Sequence, residues 1–164
     1  MDKQQIAVRL SLKRIGIECT LDKFLYRLIL QKSLYLVQEA GIQLGYYYNW
    51  YLYGPYCSNL AKDLFAIDDE IRISKEDESD KWKLDEPSTN ILNRIKPLFD
   101  IDDKSQLAKK LELFASLHFL VVRKKMDRQD IQSLKHTLKD FGKDFEESEI
   151  TGALKELQDY GILP

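Results

Sequence analysis

Apolar residues recur at helical spacing along most of this chain, and the period changes at one place. After Asp2, residues Ile6, Ala7 and Leu10 fall on one face, and Gly16 is a natural stop. This spacing predicts a first helix capped by Asp2. A second helix is expected from a cap at Thr20 or Asp22 to Ala40, closed by Gly41. Its inward set is Leu21, Phe24, Leu25, Leu28, Ile29, Leu36, Val37 and Ala40, with Leu30 and Leu34 on another side. A helix apolar over so much of its circumference belongs at the centre of a fold.

From Tyr46 the period becomes two. Six of the eight residues Tyr46 to Tyr53 are aromatic, and Tyr53-Gly54-Pro55-Tyr56 follows as a turn. Tyr46, Tyr48, Trp50 and Leu52 form one face of a strand, and Tyr47, Asn49, Tyr51 and Tyr53 the other. Asn49 marks the second face as the wetter one. Pro55 lacks the N–H that a ladder needs and ends the strand. A short helix over 58–67 is expected next. Ile71 to Ser74 and Lys81 to Leu84 then read as two short strands, joined by the acidic tip Glu76 to Asp80. A helix followed by a hairpin is the order of winged-helix domains.

Pro87 suits the first turn of a further helix with Ile91, Leu92, Ile95 and Leu98 inward, ending near Pro97. The longest regular helix is expected from about Ser105 to Lys125. Stripes at Ile131, Leu134, Leu138 and Phe141, and at Ile150, Ala153, Leu154 and Leu157, predict two more, the last capped by Ser148 and ended by Gly161. The expected fold class is α+β, mostly α. It is one domain over 1–164, with a winged-helix-like N-terminal half (1–100) carrying a small β-hairpin and a helical C-terminal half (101–164).

Charge and composition narrow the function. The net charge of −2 lacks the basic excess that phosphate contacts demand of strong nucleic-acid binders. Two isolated cysteines, Cys19 and Cys57, make no disulfide framework and suit a reducing compartment. The polar N-terminus shows no secretory h-region, and the run Leu111 to Val122 is too short for a membrane span. A cytoplasmic protein is expected, with no membrane association; a homo-oligomer is compatible with this reading.

Candidate chemistry is sparse. His118 lies on an apolar helix face, where a hydrogen-bonded core histidine is the simpler reading, and His136 has no ligand partner at metal spacing. Cys57 is read as a helix N-cap. No phosphate loop is present, and Glu146, Glu147 and Glu149 suit a helix dipole. These residues point to no catalysis, cofactor or metal. A nucleic-acid site would have to use Lys62, on the helix before the expected wing, or the patch Arg123, Lys124, Lys125 and Arg128. The tyrosines are the stronger signal, because tyrosine supplies contact area at low entropic cost. Tyr47, Asn49, Tyr51, Tyr53 and Tyr56 are the candidate partner-binding residues.

Leu30-Gln31-Lys32-Ser33-Leu34-Tyr35-Leu36-Val37-Gln38-Glu39-Ala40-Gly41, then Trp50-Tyr51-Leu52-Tyr53-Gly54-Pro55-Tyr56 and Leu60-Ala61-Lys62-Asp63-Leu64, resembles the YwgA-type family of uncharacterised bacterial and archaeal proteins. More distantly it is similar to the Panacea antitoxin domain. The resemblance is strongest over 20–64 and continues more weakly at Leu111 to Leu120 and Ala153 to Leu163. Cys57 and Ser58 stand where the family pattern has serine and proline. The YwgA-type resemblance implies no activity, and the Panacea resemblance implies a mostly helical fold that neutralises toxins by direct binding; the expected partner is a protein, a toxin, nuclease or other phage-defence component. The leading expectation is therefore a non-enzymatic, regulatory interaction module, and the alternative is a winged-helix DNA-binding transcriptional regulator.

Overall fold

Asp2 starts the first helix as its position predicts. Its carboxylate accepts from the Gln5 N–H at 2.8 Å, and the Gln5 side chain accepts from the Asp2 N–H at 3.0 Å. The computed structural model, which describes residues 1–164, places α1 at Lys3–Ile15. Gly16, at φ +78°, closes it in the left-handed conformation.

The central helix α2, Phe24–Glu39, begins later than expected. Neither Thr20 nor Asp22 caps it, and Lys23 occupies the N-cap position without a side-chain bond. A cap contributes about 1 kcal/mol. Here every residue from Leu28 to Val37 is buried, so packing outweighs the missing cap. Arg27 fixes the lead-in by donating to the Leu21 carbonyl at 2.7 Å.

The aromatic tract is a hairpin rather than one long strand. Strand β1 is Asn49–Tyr51 and β2 is Gly54–Tyr56, paired antiparallel with Tyr51 opposite Gly54. Residues Tyr46 to Tyr48 alternate in burial but have no strand partner. Their backbone is satisfied otherwise: Tyr46 N–H donates to Gln38 Oε1, and Gln38 Nε2 donates to the Tyr46 carbonyl. Leu52, expected inward, is exposed because the turn begins there and breaks the alternation.

Helix α3, Ser58–Ser74, is longer than the expected 58–67 segment and absorbs Ile71 to Ser74. The expected wing is therefore absent. Ile71 lies four residues beyond buried Ile67 and packs on the core as a helical residue. The acidic segment folds as a 3-10 turn, Glu78–Lys81, against α1. Asp77 accepts from Arg9 at 2.8 Å and pairs with Lys13 at 2.9 Å, while Lys13 reaches Asp80 at 2.6 Å. Cations on α1 thus hold in place a segment whose sequence suggested a mobile tip. Trp82 to Leu84 form no strand.

The remaining helices follow the apolar pattern. Helix α4 is Glu86–Ile95, with Asp85 as cap and Pro87 in its first turn, and a 3-10 turn follows over Lys96–Phe99. Helix α5 is Lys104–Val122, α6 is Ile131–Asp140 and α7 is Glu147–Asp159. Ser148 lies inside α7 rather than capping it. Glu146 precedes the helix, and Glu147 and Glu149 sit in the first turn, where carboxylates suit the dipole. At the centre α2 packs on α5, which also contacts α7 and β2. One cluster of 43 buried residues reaches from Val8 to Leu163, so both halves share a core. The fold is α+β and mostly α, and no helix is long and apolar enough to cross a membrane.

Asp77 provides a test of the acidic strap. Burial opposes its ionisation, but bonds from Lys13, Ser79 and Arg9 outweigh this and hold its pKa well below the ordinary carboxylate value. Its contribution is complete above about pH 4 and fades as pH falls toward the depressed folded value. Asp77→Asn is expected to lower stability at neutral pH by about 2 kcal/mol. Urea denaturation at neutral and acid pH should show the gap between variant and wild type narrowing in acid.

Candidate functional site

The hairpin is clamped from beneath by polar side chains. Gly54 has φ +95°, and a Cβ there would overlap Ser116 Oγ on α5 and lie 3.7 Å from Lys32 Nζ. Lys32, on α2, donates from Nζ to the Pro55 carbonyl at 2.6 Å. Its neighbour Gln31 donates to the Cys57 carbonyl at 2.9 Å and accepts from the Cys57 N–H at 3.0 Å. On the other side Lys143 donates to the Leu52 carbonyl at 2.7 Å and pairs with Glu112 at 3.1 Å. Cys57 caps α3, its Sγ accepting from Leu60 N–H at 3.4 Å. It is a buried structural residue.

Lys32 is 2 % exposed and has no carboxylate at ion-pair distance. Burial lowers its pKa from 10.5 to about 7, the charge of Glu112 partly opposing this and that of Lys143 adding to it. This buried amine was not a candidate from sequence. The only sequence signal was a lysine set within the apolar run Leu28 to Val37.

Above the clamp lies a pocket of about 310 Å³ between α2, the hairpin and α3. Leu28 and Leu64 line it from the core, together with Lys32 and Arg27. Phe24, Tyr51, Tyr53, Tyr56 and Phe65 also line it, each between 38 % and 59 % exposed. Phe24 and Tyr53 meet edge to face at 5.1 Å between centroids, and Tyr51 lies 5.7 Å from Tyr56.

The structure divides the expected partner-binding set. Tyr51, Tyr53 and Tyr56 share this pocket, whereas Tyr47 and Asn49 border a separate cleft with Phe119, Arg123 and Lys124. Phe24 and Phe65 complete the aromatic rim, and sequence reading missed both. Phe24, expected on the inward face of α2, stands in that helix's exposed first turn. The cation set is also divided. Arg123 is bound to Glu39 at 2.7 Å, Arg128 donates to the Pro164 carbonyl at 2.6 Å, and Lys62 stands exposed on α3. Lys124 and Lys125 are exposed after α5.

His118 is a core residue. Its Nε2 faces the Ile162 carbonyl at 3.2 Å, which can only accept, so Nε2 carries the proton. Nδ1 then accepts from the Tyr35 hydroxyl at 2.7 Å. Burial lowers the His118 pKa, consistent with this neutral form. No group of three His, Cys, Asp or Glu side chains is placed to hold a metal. Comparison with known proteins returns no match among protein-family models, curated proteins or solved structures.

Two outcomes test the clamp. Gly54→Val combines left-handed strain with overlap on Ser116 and is expected to cost more than about 2 kcal/mol in thermal or chemical denaturation. Lys32 gives a pH signature. The unfolded lysine keeps its proton up to about pH 10.5 and the folded one only to about 7, so stability rises with pH between these values and does not change below them. The slope from this group is at most about 1.4 kcal/mol per pH unit. Urea midpoints from pH 6.5 to 9.5 should rise in wild type relative to Lys32→Met, which lacks the titrating group.

Proposed function

We propose that this protein is a regulatory interaction module without catalytic activity, antitoxin-like or associated with phage defence, acting in the cytoplasm. Its partner is a toxin, nuclease or other defence component. The observation that carries this reading is the rim of Phe24, Tyr51, Tyr53, Tyr56 and Phe65, five exposed aromatic rings around one pocket. Contiguous exposed apolar surface of this kind marks interaction sites, and aromatic residues are the usual anchors. The hairpin that presents three of the rings is fixed by bonds from Lys32 to Pro55 and from Lys143 to Leu52, and by the pair that Gln31 shares with Cys57 just after it, so little ordering entropy is lost on association. The resemblance to the YwgA-type family and the Panacea domain, carried by the Tyr-Gly-Pro-Tyr turn and its flanking helices, agrees with this reading.

The DNA-binding alternative has less support. It needs a reading helix followed by a wing, and α3 is followed by the strap bound to α1. On α3 itself Lys62 is followed by Asp63, which accepts from Tyr46 and Gln5.

Affinity capture from the native host, with the captured protein identified and its affinity then measured, is the test. Tyr51→Ala should weaken the complex by about 1–2 kcal/mol with unchanged melting. Tight, salt-sensitive binding to one genomic fragment, lost in Lys62→Ala/Arg123→Ala, would instead establish the DNA-binding reading.

A further inference from the structure

The pocket beneath the aromatic rim has a charge pattern that the rim does not explain. Its two charged lining residues, Arg27 and Lys32, are both cations, and no carboxylate lines it. The remaining lining is apolar or aromatic apart from Gln31, whose amide is already committed to Cys57. A lysine amine in its charged form has three N–H donors. Lys32 places one on the Pro55 carbonyl and has no other partner in the protein. Arg27 likewise places one donor on the Leu21 carbonyl and forms no ion pair. A volume of about 310 Å³ is at the small end of ligand sites, and a mostly apolar lining with a few polar groups is their usual character.

We propose that this pocket binds a small apolar monocarboxylate, an aryl- or alkyl-substituted acid of about a dozen heavy atoms, with its carboxylate directed to Lys32 and Arg27 and its apolar body between Leu28, Leu64 and the tyrosines. The inference goes beyond the interaction role and does not depend on any protein partner. The carboxylate supplies the countercharge that Lys32 lacks and accepts donors that have no other acceptor. The apolar body fills the space that the aromatic rim encloses.

Binding of this kind is linked to protonation. The charges that act on Lys32 are Glu112 on α5 and Lys143 in the α6–α7 loop, and the titratable groups that line the pocket with it are Arg27 on α2 and Tyr51, Tyr53 and Tyr56 of the hairpin. Glu112 is paired with Lys143, which leaves Lys32 as the group that responds to the ligand. The free protein loses the Lys32 proton near pH 7. A bound carboxylate favours the charged amine, so the ligand brings a proton with it above that pH, and affinity falls as pH rises from about 7.

The experiment titrates the full chain with 4-phenylbutyrate, octanoate and indole-3-acetate, each against its own primary amide, by calorimetry and methyl NMR from about pH 6 to about pH 9. At least one acid is expected to bind at the pocket, shifting the Leu28 and Leu64 methyls, at least tenfold more tightly than its amide near pH 6. The preference should shrink toward pH 9, with proton uptake visible as a dependence of the binding heat on buffer. Lys32→Met should erase the acid-over-amide preference, and Arg27→Gln should reduce it. If Lys32→Met does not fold, the wild-type pH dependence, proton uptake and Arg27→Gln result decide. Equal binding of acid and amide, absence of pH dependence, or no binding by any acid at millimolar concentration overturns the proposal. So does sedimentation as a dimer that Tyr53→Ser dissociates, which would make a second copy the occupant. Loss of partner capture with retained acid binding would remove the interaction role and leave the pocket standing.

Discussion

The hydrogen bond from Lys32 Nζ to the Pro55 carbonyl is the constraint around which the aromatic surface is built. A hairpin of two three-residue strands has little stability by itself. Here the supports come from elsewhere in the chain. Adjacent residues of α2 hold the Pro55 and Cys57 backbone, and Lys143, remote in sequence, holds Leu52. Gly54 permits the arrangement because a side chain there would occupy the space of Ser116. Burial of an amine with no paired carboxylate opposes its charge, which is why Lys32 sits near neutrality rather than at the ordinary lysine value.

The clamp also decides which aromatic rings face outward. Trp50 is taken inward by Phe119 and Phe141, with centroids at 5.7 and 5.1 Å, and Tyr48 by Tyr35 at 5.0 Å. With the inner face occupied, Tyr51, Tyr53 and Tyr56 remain outside, and the first turn of α2 and the middle of α3 bring Phe24 and Phe65 to them. The result is an apolar rim over a cationic lining. The protein partner proposed above would use the rim, and the small anion proposed above would use the lining below it. The proposed interaction role and the proposed ligand pocket therefore share one scaffold but can be tested separately.

Along α1 a different balance operates. The acidic residues between α3 and α4 suggested a solvated hairpin tip when read in sequence. Their charge instead meets Arg9 and Lys13, one helical turn apart on α1. Burial of Ser79 within this strap, where it also accepts from Lys13, shows that the segment is packed rather than draped over the surface. A winged-helix reading fails for this reason, since Lys81, the first residue assigned to its second strand, ends a 3-10 turn and Trp82 to Leu84 find no strand partner.

The sequence by itself determined where the helices lie and most of the core, though not the full length of α3 or the exposure of Phe24 and Leu52. Apolar spacing located all seven, Asp2, Gly16, Cys57 and Pro87 marked boundaries that the structure keeps, and the alternation from Tyr46 to Tyr51 assigned inside and outside correctly. These features are local, because periodicity and capping depend on residues a few positions apart. Only the tertiary structure decided where the hairpin lies, that Ile71 to Ser74 stay helical, and that Tyr47 and Asn49 part company with Tyr51, Tyr53 and Tyr56. It alone assembled Lys32, Glu112, Ser116 and Lys143 around one turn. Those groups lie far apart in the chain, and what fixes their protonation and their reach is burial among neighbours, a property that no sequence window contains.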